Sequence, residues 1–293
     1  MTNATIAFIG LGNMGGGMAL NLLKHGFAVR AFDLAEEALA RVAAGGAVRV
    51  ASAAEAVSGA DAVVTMLPAG KHVEAVYTGD VFDAAKPGTL FLDCSTIDVA
   101  TARRVTDAAM ARGFAMVDAP VSGGIAAANG GTLTFMVGGT DDAFAAAKPI
   151  LSAMGKAVIH AGGAGNGQAA KICNNMLLGA TMVATCEAFA MAQKIGLDPQ
   201  TFFDISSISS GQSWSMTSYC PLPGVGPQTP ADNDYQGGFA VALMLKDLKL
   251  AMEAAASVGA SVPMGAAAES LYQILANKGE GGRDFSSMIQ MLS

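Results

Sequence analysis

At 293 residues, the chain has room for one large or two ordinary domains, each with a real core. Apolar residues make up 52% and charged residues 14%, which excludes a disordered or fibrous chain and leaves a globular one. The net charge of −7 leaves no basic footprint, so nucleic acid is excluded as a partner, whereas a small anion held at a local site is compatible with it.

Cys94, Cys173, Cys186 and Cys220 form no paired spacing and read as reduced thiols of a cytoplasmic protein. His25, His72 and His160 are scattered without ligand spacing, so no metal is expected. Residues 5–9 already read as a strand, which leaves no room for a signal peptide. The uncharged stretch 172–186 is too short and too polar for a membrane span, so a soluble protein with no membrane partner is expected.

The β-branched run 5–9 leads into Gly10-Leu11-Gly12-Asn13-Met14-Gly15 and then a helical pattern through Lys24. Between a strand and a helix, this glycine spacing is the dinucleotide fingerprint. Gly10 makes the turn, Gly12 lets the backbone approach a pyrophosphate, and Gly15 lets helix pack on strand. The helix N-terminus then offers N–H groups to the phosphates. A second strand, 28–32, ends at Asp33, whose carboxylate suits the ribose hydroxyls and repels a 2′-phosphate. No Arg follows in 34–36, so NAD is favoured over NADP.

Strands predicted at 62–67, 89–93, 115–118, 133–137 and 158–160 alternate with helices at 36–44, 99–112 and 141–154, and Ser52 to Glu55 fits a capping box. That alternation calls for a parallel doubly wound, Rossmann-like sheet, whose ligands lie off the carboxyl ends of its strands. The loops to read there are 66–68, 94–96 and 118–124. In the last of these, Ser122, Gly123 and Gly124 can aim successive N–H groups at one point, an anion nest suited to a small carboxylate.

Beyond residue 161 strand signals vanish, so a dinucleotide-binding domain over 1–163 and an all-α substrate and dimerisation domain over 164–293 are expected. A long helix over 167–195 opens it, and Lys171, Asn174, Asn175 and Leu178 share one face at helical spacing. The rest of that helix is apolar almost all round (Ile172, Cys173, Met176, Leu177, Met182, Val183), which predicts burial. A desolvated lysine suits general acid–base work, and a lysine snorkelling to water is the alternative reading. Further helices are predicted at 199–207, capped by Asp198, and at 239–257, 263–277 and 285–291. The loop 211–238, with Trp214, Tyr219 and Tyr235, reads as an ordered cover, either a lid or a subunit contact. Lys246-Asp247 interrupts an apolar helix, as a surface ion pair or as a lysine reaching the cofactor or substrate.

Four motifs together resemble the 3-hydroxyisobutyrate dehydrogenases of the β-hydroxyacid dehydrogenase family: Gly10 to Gly15 with Asn21-Leu22; Asp118 to Gly124 with Gly131-Thr132-Leu133; Gly165 to Asn175; and Lys246-Asp247-Leu248. The 214–239 loop is similar to that of the 3-hydroxyisobutyrate branch in particular. The resemblance implies that Lys171 is the catalytic lysine, that Asn175 places the substrate, and that Ser122, Gly123 and Gly124 cradle its carboxylate. It further implies that Leu67, Pro68, Thr96 and Lys246 line an NAD site. Gly17 stands where the family often has Pro, Cys220 where this branch often has Asn, and His72 where other polar residues stand. The implied activity is oxidation of 3-hydroxyisobutyrate to methylmalonate semialdehyde in valine breakdown. Tartronate semialdehyde reduction, oxidation of another 3-hydroxy acid such as serine, and a non-catalytic NAD-binding sensor are the alternatives. The apolar second half predicts a homo-oligomer, dimer or tetramer.

Overall fold

The computed structural model of the chain describes residues 4–292 and divides it into two compact units, which part between Lys171 and Ile172. Among the described residues, the first unit is built on nine strands: β1 (Thr5–Ile9), β2 (Ala28–Phe32), β3 (Val48–Arg49), β4 (Ala62–Thr65), β5 (Leu90–Asp93), β6 (Ala115–Asp118), β7 (Val121–Ser122), β8 (Leu133–Gly138) and β9 (Gly155–Gly162). The first six lie in the order β3-β2-β1-β4-β5-β6, all parallel. This is the doubly wound order of dinucleotide-binding folds. Alternation along β1 shows why both faces are covered. Ile6 and Phe8 enter one apolar cluster with Leu22, Val64 and Leu92, while Ala7 and Ile9 enter another with Val63, Tyr77 and Phe91.

The expected all-parallel sheet fails beyond β6. Strand β8 runs antiparallel to β6 and to β7, and parallel to β9. A parallel return needs a crossover of a dozen or more residues, and between β7 and β8 the chain spends its residues on the short helix Gly124–Gly130. Two-residue β3 and β7 carry no periodicity, and the sequence reading passes over both. It also passes over the helical stretch Gly70–Val76, which continues through a π turn at Tyr77–Val81 and on to Phe82–Ala84, and which sends Val73, Tyr77, Val81 and Phe82 into the core.

The second unit is helical: most of the helix Asn166–Lys194, then Pro199–Ser206, Trp214–Thr217, Val241–Val258 and Pro263–Asn277. As expected, Asp198 caps the second of these, its carboxylate accepting the Thr201 N–H at 2.8 Å. The predicted last helix 285–291 is a 3-10 turn, Phe285–Met288, followed by one α turn, Ile289–Leu292. The unit has its own core of Met182, Cys186, Phe189, Met244, Tyr272 and Phe285.

The long helix does not stop at Lys171 or Glu187 but spans Asn166–Lys194, close to the predicted 167–195. At 29 residues it is long and apolar enough, on length and composition alone, to cross a membrane, while half of its most apolar window is buried in the structure. Contrary to the expectation, it is not buried all round. Ile172, Met182 and Val183 are buried, but Cys173 and Leu177 are exposed, the latter by 63%. Only one side of this helix packs into the second core, so its apolar composition overstates its burial.

The loop 211–238 is packed onto its own unit. Tyr219 donates to Asp284 at 2.8 Å and stacks on Trp214. Buried Tyr235 donates to the Pro221 carbonyl at 2.9 Å, and Met216, Cys220 and Ala231 join the core.

Candidate active site

The glycine turn after β1 shows a fit to a dinucleotide. Gly10 holds φ at +94°, and a Cβ there would strike the Met66 carbonyl oxygen. A Cβ on Gly15 would strike the Gly10 carbonyl oxygen, so helix Gly15–Lys24 packs hard on the turn. Gly12 alone of the three opens onto space with nothing within 4 Å, where a backbone approach to a pyrophosphate needs it. Leu11 keeps its side chain in the core and offers only backbone.

Asp33 does more than the sequence suggests. Its Oδ2 accepts the Leu11 N–H at 2.5 Å and its Oδ1 the Ala35 N–H at 2.7 Å, so the carboxylate also holds the glycine turn in shape. Arg41, which the sequence reading did not single out, donates to the Leu11 carbonyl at 2.7 Å and the Gly12 carbonyl at 3.3 Å, steadying the turn from the other side.

The loops after β4 and β5 are tied together beneath. The Leu67 N–H donates to Ser95 Oγ at 2.8 Å, and Leu67 is half-buried while Pro68 is exposed. Below them Thr65 donates to Asp93 at 2.8 Å and pairs with the Tyr77 hydroxyl at 2.8 Å. Burial pushes the Asp93 carboxyl up to about 6, against the pull of hydrogen bonds from Ser95 and Thr65. Thr96 is half-buried in the same loop, and His72 lies exposed on Gly70–Val76.

At the nest, Gly123 and Gly124 hold φ of +135° and +69°, a run that side-chain-bearing residues rarely adopt, and Gly124 opens the helix Gly124–Gly130. Asn21 secures that helix, donating to the Ala128 carbonyl at 2.7 Å and the Gly17 carbonyl at 3.0 Å. The departure at Gly17 has a packing reason, since a Cβ there would come within 3.0 Å of the Ala128 backbone.

Lys171 lies in the second turn of the long helix and is 7% exposed, so nearly all of its side chain is out of water. The start of this helix is anchored to the sheet by Asp118 and Gln168. Asp118 Oδ1 accepts the Gly165 N–H at 2.7 Å, and Oδ2 the Gln168 N–H at 2.9 Å. Buried Gln168 donates to the Ser95 carbonyl at 2.7 Å and accepts the Ile97 N–H at 3.1 Å. These bonds keep residues 166–171 with the first unit, although strand signals stop before them. The first unit thus carries the glycine turn, Asp33, the loops after β4 and β5, the Ser122-Gly123-Gly124 turn and Lys171.

In the second unit, Asn175 is buried and donates to Asp247 Oδ2 at 2.5 Å. Lys246 lies 3.7 Å from Asp247 Oδ1 with a third of its side chain exposed. The surface-pair reading of Lys246-Asp247 is therefore wrong for its acidic half: Asp247 is buried and fixes the Asn175 carboxamide. A carboxylate inside an apolar helical run was the available signal.

Two family models cover the chain. Residues 5–163 match the NAD binding domain of 6-phosphogluconate dehydrogenase, and residues 165–292 match the NAD-binding domain of NADP-dependent 3-hydroxyisobutyrate dehydrogenase. A 3-hydroxyisobutyrate dehydrogenase of Pseudomonas aeruginosa is 50% identical over 289 residues, 97% of this chain and 96% of the relative. An NAD-dependent L-serine dehydrogenase of the same organism is also 50% identical, over 96% of this chain and 95% of the relative. The solved structure of Mycobacterium tuberculosis 3-hydroxyisobutyrate dehydrogenase with L-serine superposes with a TM-score of 0.95 at 48% identity, covering 99% of each chain.

Proposed function

Because the chain belongs to the 3-hydroxyisobutyrate dehydrogenase family of NAD-dependent oxidoreductases, we propose that its reaction is oxidation of (S)-3-hydroxyisobutyrate to methylmalonate semialdehyde, with Lys171 as general acid–base. The burial of Lys171 in the unit that also bears the glycine turn and the nest carries this reading. The first unit is the dinucleotide-binding half, and the helical unit serves substrate and subunit association.

When bound, NAD supplies the hydride acceptor. The turn at Gly10, Leu11, Gly12, Asn13, Met14 and Gly15 takes the pyrophosphate, Asp33 the ribose, and Leu67, Pro68, Thr96 and Lys246 serve the same cofactor. The N–H groups of Ser122, Gly123 and Gly124 hold the substrate carboxylate and thereby fix the carbon bearing the hydroxyl. The Lys171 amine takes the hydroxyl proton as that carbon gives up its hydrogen as hydride, and the lysine leaves the step as ammonium. Asn175, its amide fixed by Asp247, orients substrate and lysine. A protein with four free cysteines and an exposed Cys173 suits a reducing cytosol, and we place it there.

Equal identity to the serine enzyme favours L-serine as the second reading, since both substrates carry a carboxylate and a 3-hydroxyl. The experiment is a panel of 3-hydroxy acids, including L-serine, with tartronate semialdehyde in the reverse direction, following NADH. The proposal expects the highest kcat/KM for (S)-3-hydroxyisobutyrate. A higher value for L-serine or tartronate semialdehyde overturns the substrate, and no turnover with any of them leaves a non-catalytic NAD-binding sensor.

A further inference from the structure

We infer that Asp118 is a positioning residue for Lys171: its carboxylate, on the last residue of β6, holds the start of the lysine's helix at a fixed height above the sheet. The inference rests on the acid–base role proposed for Lys171.

A helix N-terminus leaves backbone N–H groups without intrahelical partners, and a nearby side-chain oxygen normally satisfies one of them. Here the cap comes from 47 residues away. Each oxygen of buried Asp118 takes a separate N–H, Gly165 at 2.7 Å and Gln168 at 2.9 Å, so the helix start is fixed at two points instead of one. Burial raises the Asp118 carboxyl's pKa, and these same N–H bonds oppose the rise by favouring the acceptor-only carboxylate.

The seat is cut to fit. A Cβ on Gly167 would strike the Met136 carbonyl and come within 2.8 Å of Asp118 Oδ2. One on Gly138, the residue paired with Asp118 in β8, would strike the Asp118 carboxylate. Two glycines thus let the helix start rest directly on the ends of β6 and β8. Gln168 adds a lateral fix to the loop after β5 through Ser95 and Ile97. Lys171 is three residues beyond Gln168, on the adjoining turn, so its height follows from this seat. Asp118 also opens the segment that ends in the nest. The same residue therefore fixes the base and the start of the carboxylate cradle, and a misplacement of about 1 Å between such groups costs roughly 100-fold in rate.

The test is a double-mutant cycle between Asp118→Asn and Lys171→Ala, with kcat, KM and NAD dissociation constant measured for each holoenzyme. Asn keeps one acceptor but turns an NH2 toward the other N–H, so one bond is lost with little change of shape. Expected is a drop in kcat of about 10–100-fold with NAD affinity within about threefold, and no further loss when Asp118→Asn is added to Lys171→Ala, because the group it positions is already gone. An equal loss in both backgrounds, or near-normal kcat in Asp118→Asn, overturns the inference. Near-normal kcat in Lys171→Ala itself instead overturns the acid–base assignment. Should Asp118→Asn fail to fold, Gly167→Ala lifts the helix start off Asp118 without touching a charge and is read by the same cycle, with the same two results deciding.

Discussion

At the scale of single residues, the chain uses buried carboxylates as fixtures. Asp93 and Asp118 end neighbouring strands in register, at the carboxyl edge of the sheet. Asp93 has a consequence that pH exposes. Its folded pKa of about 6 lies above the ordinary 3.8 of an aspartate, so its contribution to stability is fully present below about 4 and is lost as pH rises through 6. Asp93→Asn keeps an acceptor for Thr65 and Ser95 but cannot ionise. The stability of this variant relative to the parent should therefore climb between pH 4 and 7, by on the order of 3 kcal/mol. Denaturant melts across that range check it, and a constant difference would show that Asp93 does not titrate there. The glycine fingerprint was readable from sequence because only glycine satisfies those backbone angles. The duties of Asp118, Gln168 and Asp247 were not, because each depends on a partner 47 to 73 residues away.

At the scale of elements, sequence periodicity predicted the strands near Ala62–Thr65, Leu90–Asp93 and Ala115–Asp118 and the helices Glu36–Ala44 and Pro263–Asn277, whose apolar spacing matches what each face buries. It missed β3 and β7, too short to show a period, and Gly70–Ala84, where a π turn breaks the helical repeat. The antiparallel β8 was invisible because direction is set by the length of connecting chain. On Val241–Val258, apolar spacing framed Lys246-Asp247 without telling which of the two was buried. Since Asp247 receives the Asn175 amide, Asp247→Ala leaves a buried NH2 without its acceptor. The melting temperature should fall by the equivalent of about 1–3 kcal/mol, with kcat/KM reduced as Asn175 loses its orientation. Unchanged melting and unchanged kcat/KM would remove Asp247 from the account.

At the scale of the whole molecule, the α/β half and the helical half were both readable from where strand signals stop. The compact units part within a single helix, between Lys171 and Ile172, because its first turns are bonded back to the sheet. The long loop 211–238 gave away its order through its aromatics. Cys220 and Tyr235 are built into the second core, and Tyr219 packs against it while donating to Asp284. Amide hydrogen exchange across residues 219–235 should therefore be slow without ligands and change little on adding NAD and a 3-hydroxy acid. Fast exchange that slows on binding would mark a closing lid.

With Lys171 proposed as the proton acceptor, the decisive readout is single-turnover NADH formation by Lys171→Ala with (S)-3-hydroxyisobutyrate and saturating NAD. Hydride transfer slowed by about 10²–10⁴-fold with NAD affinity unchanged is the expected result. A rate within a few-fold of the parent enzyme would contradict it.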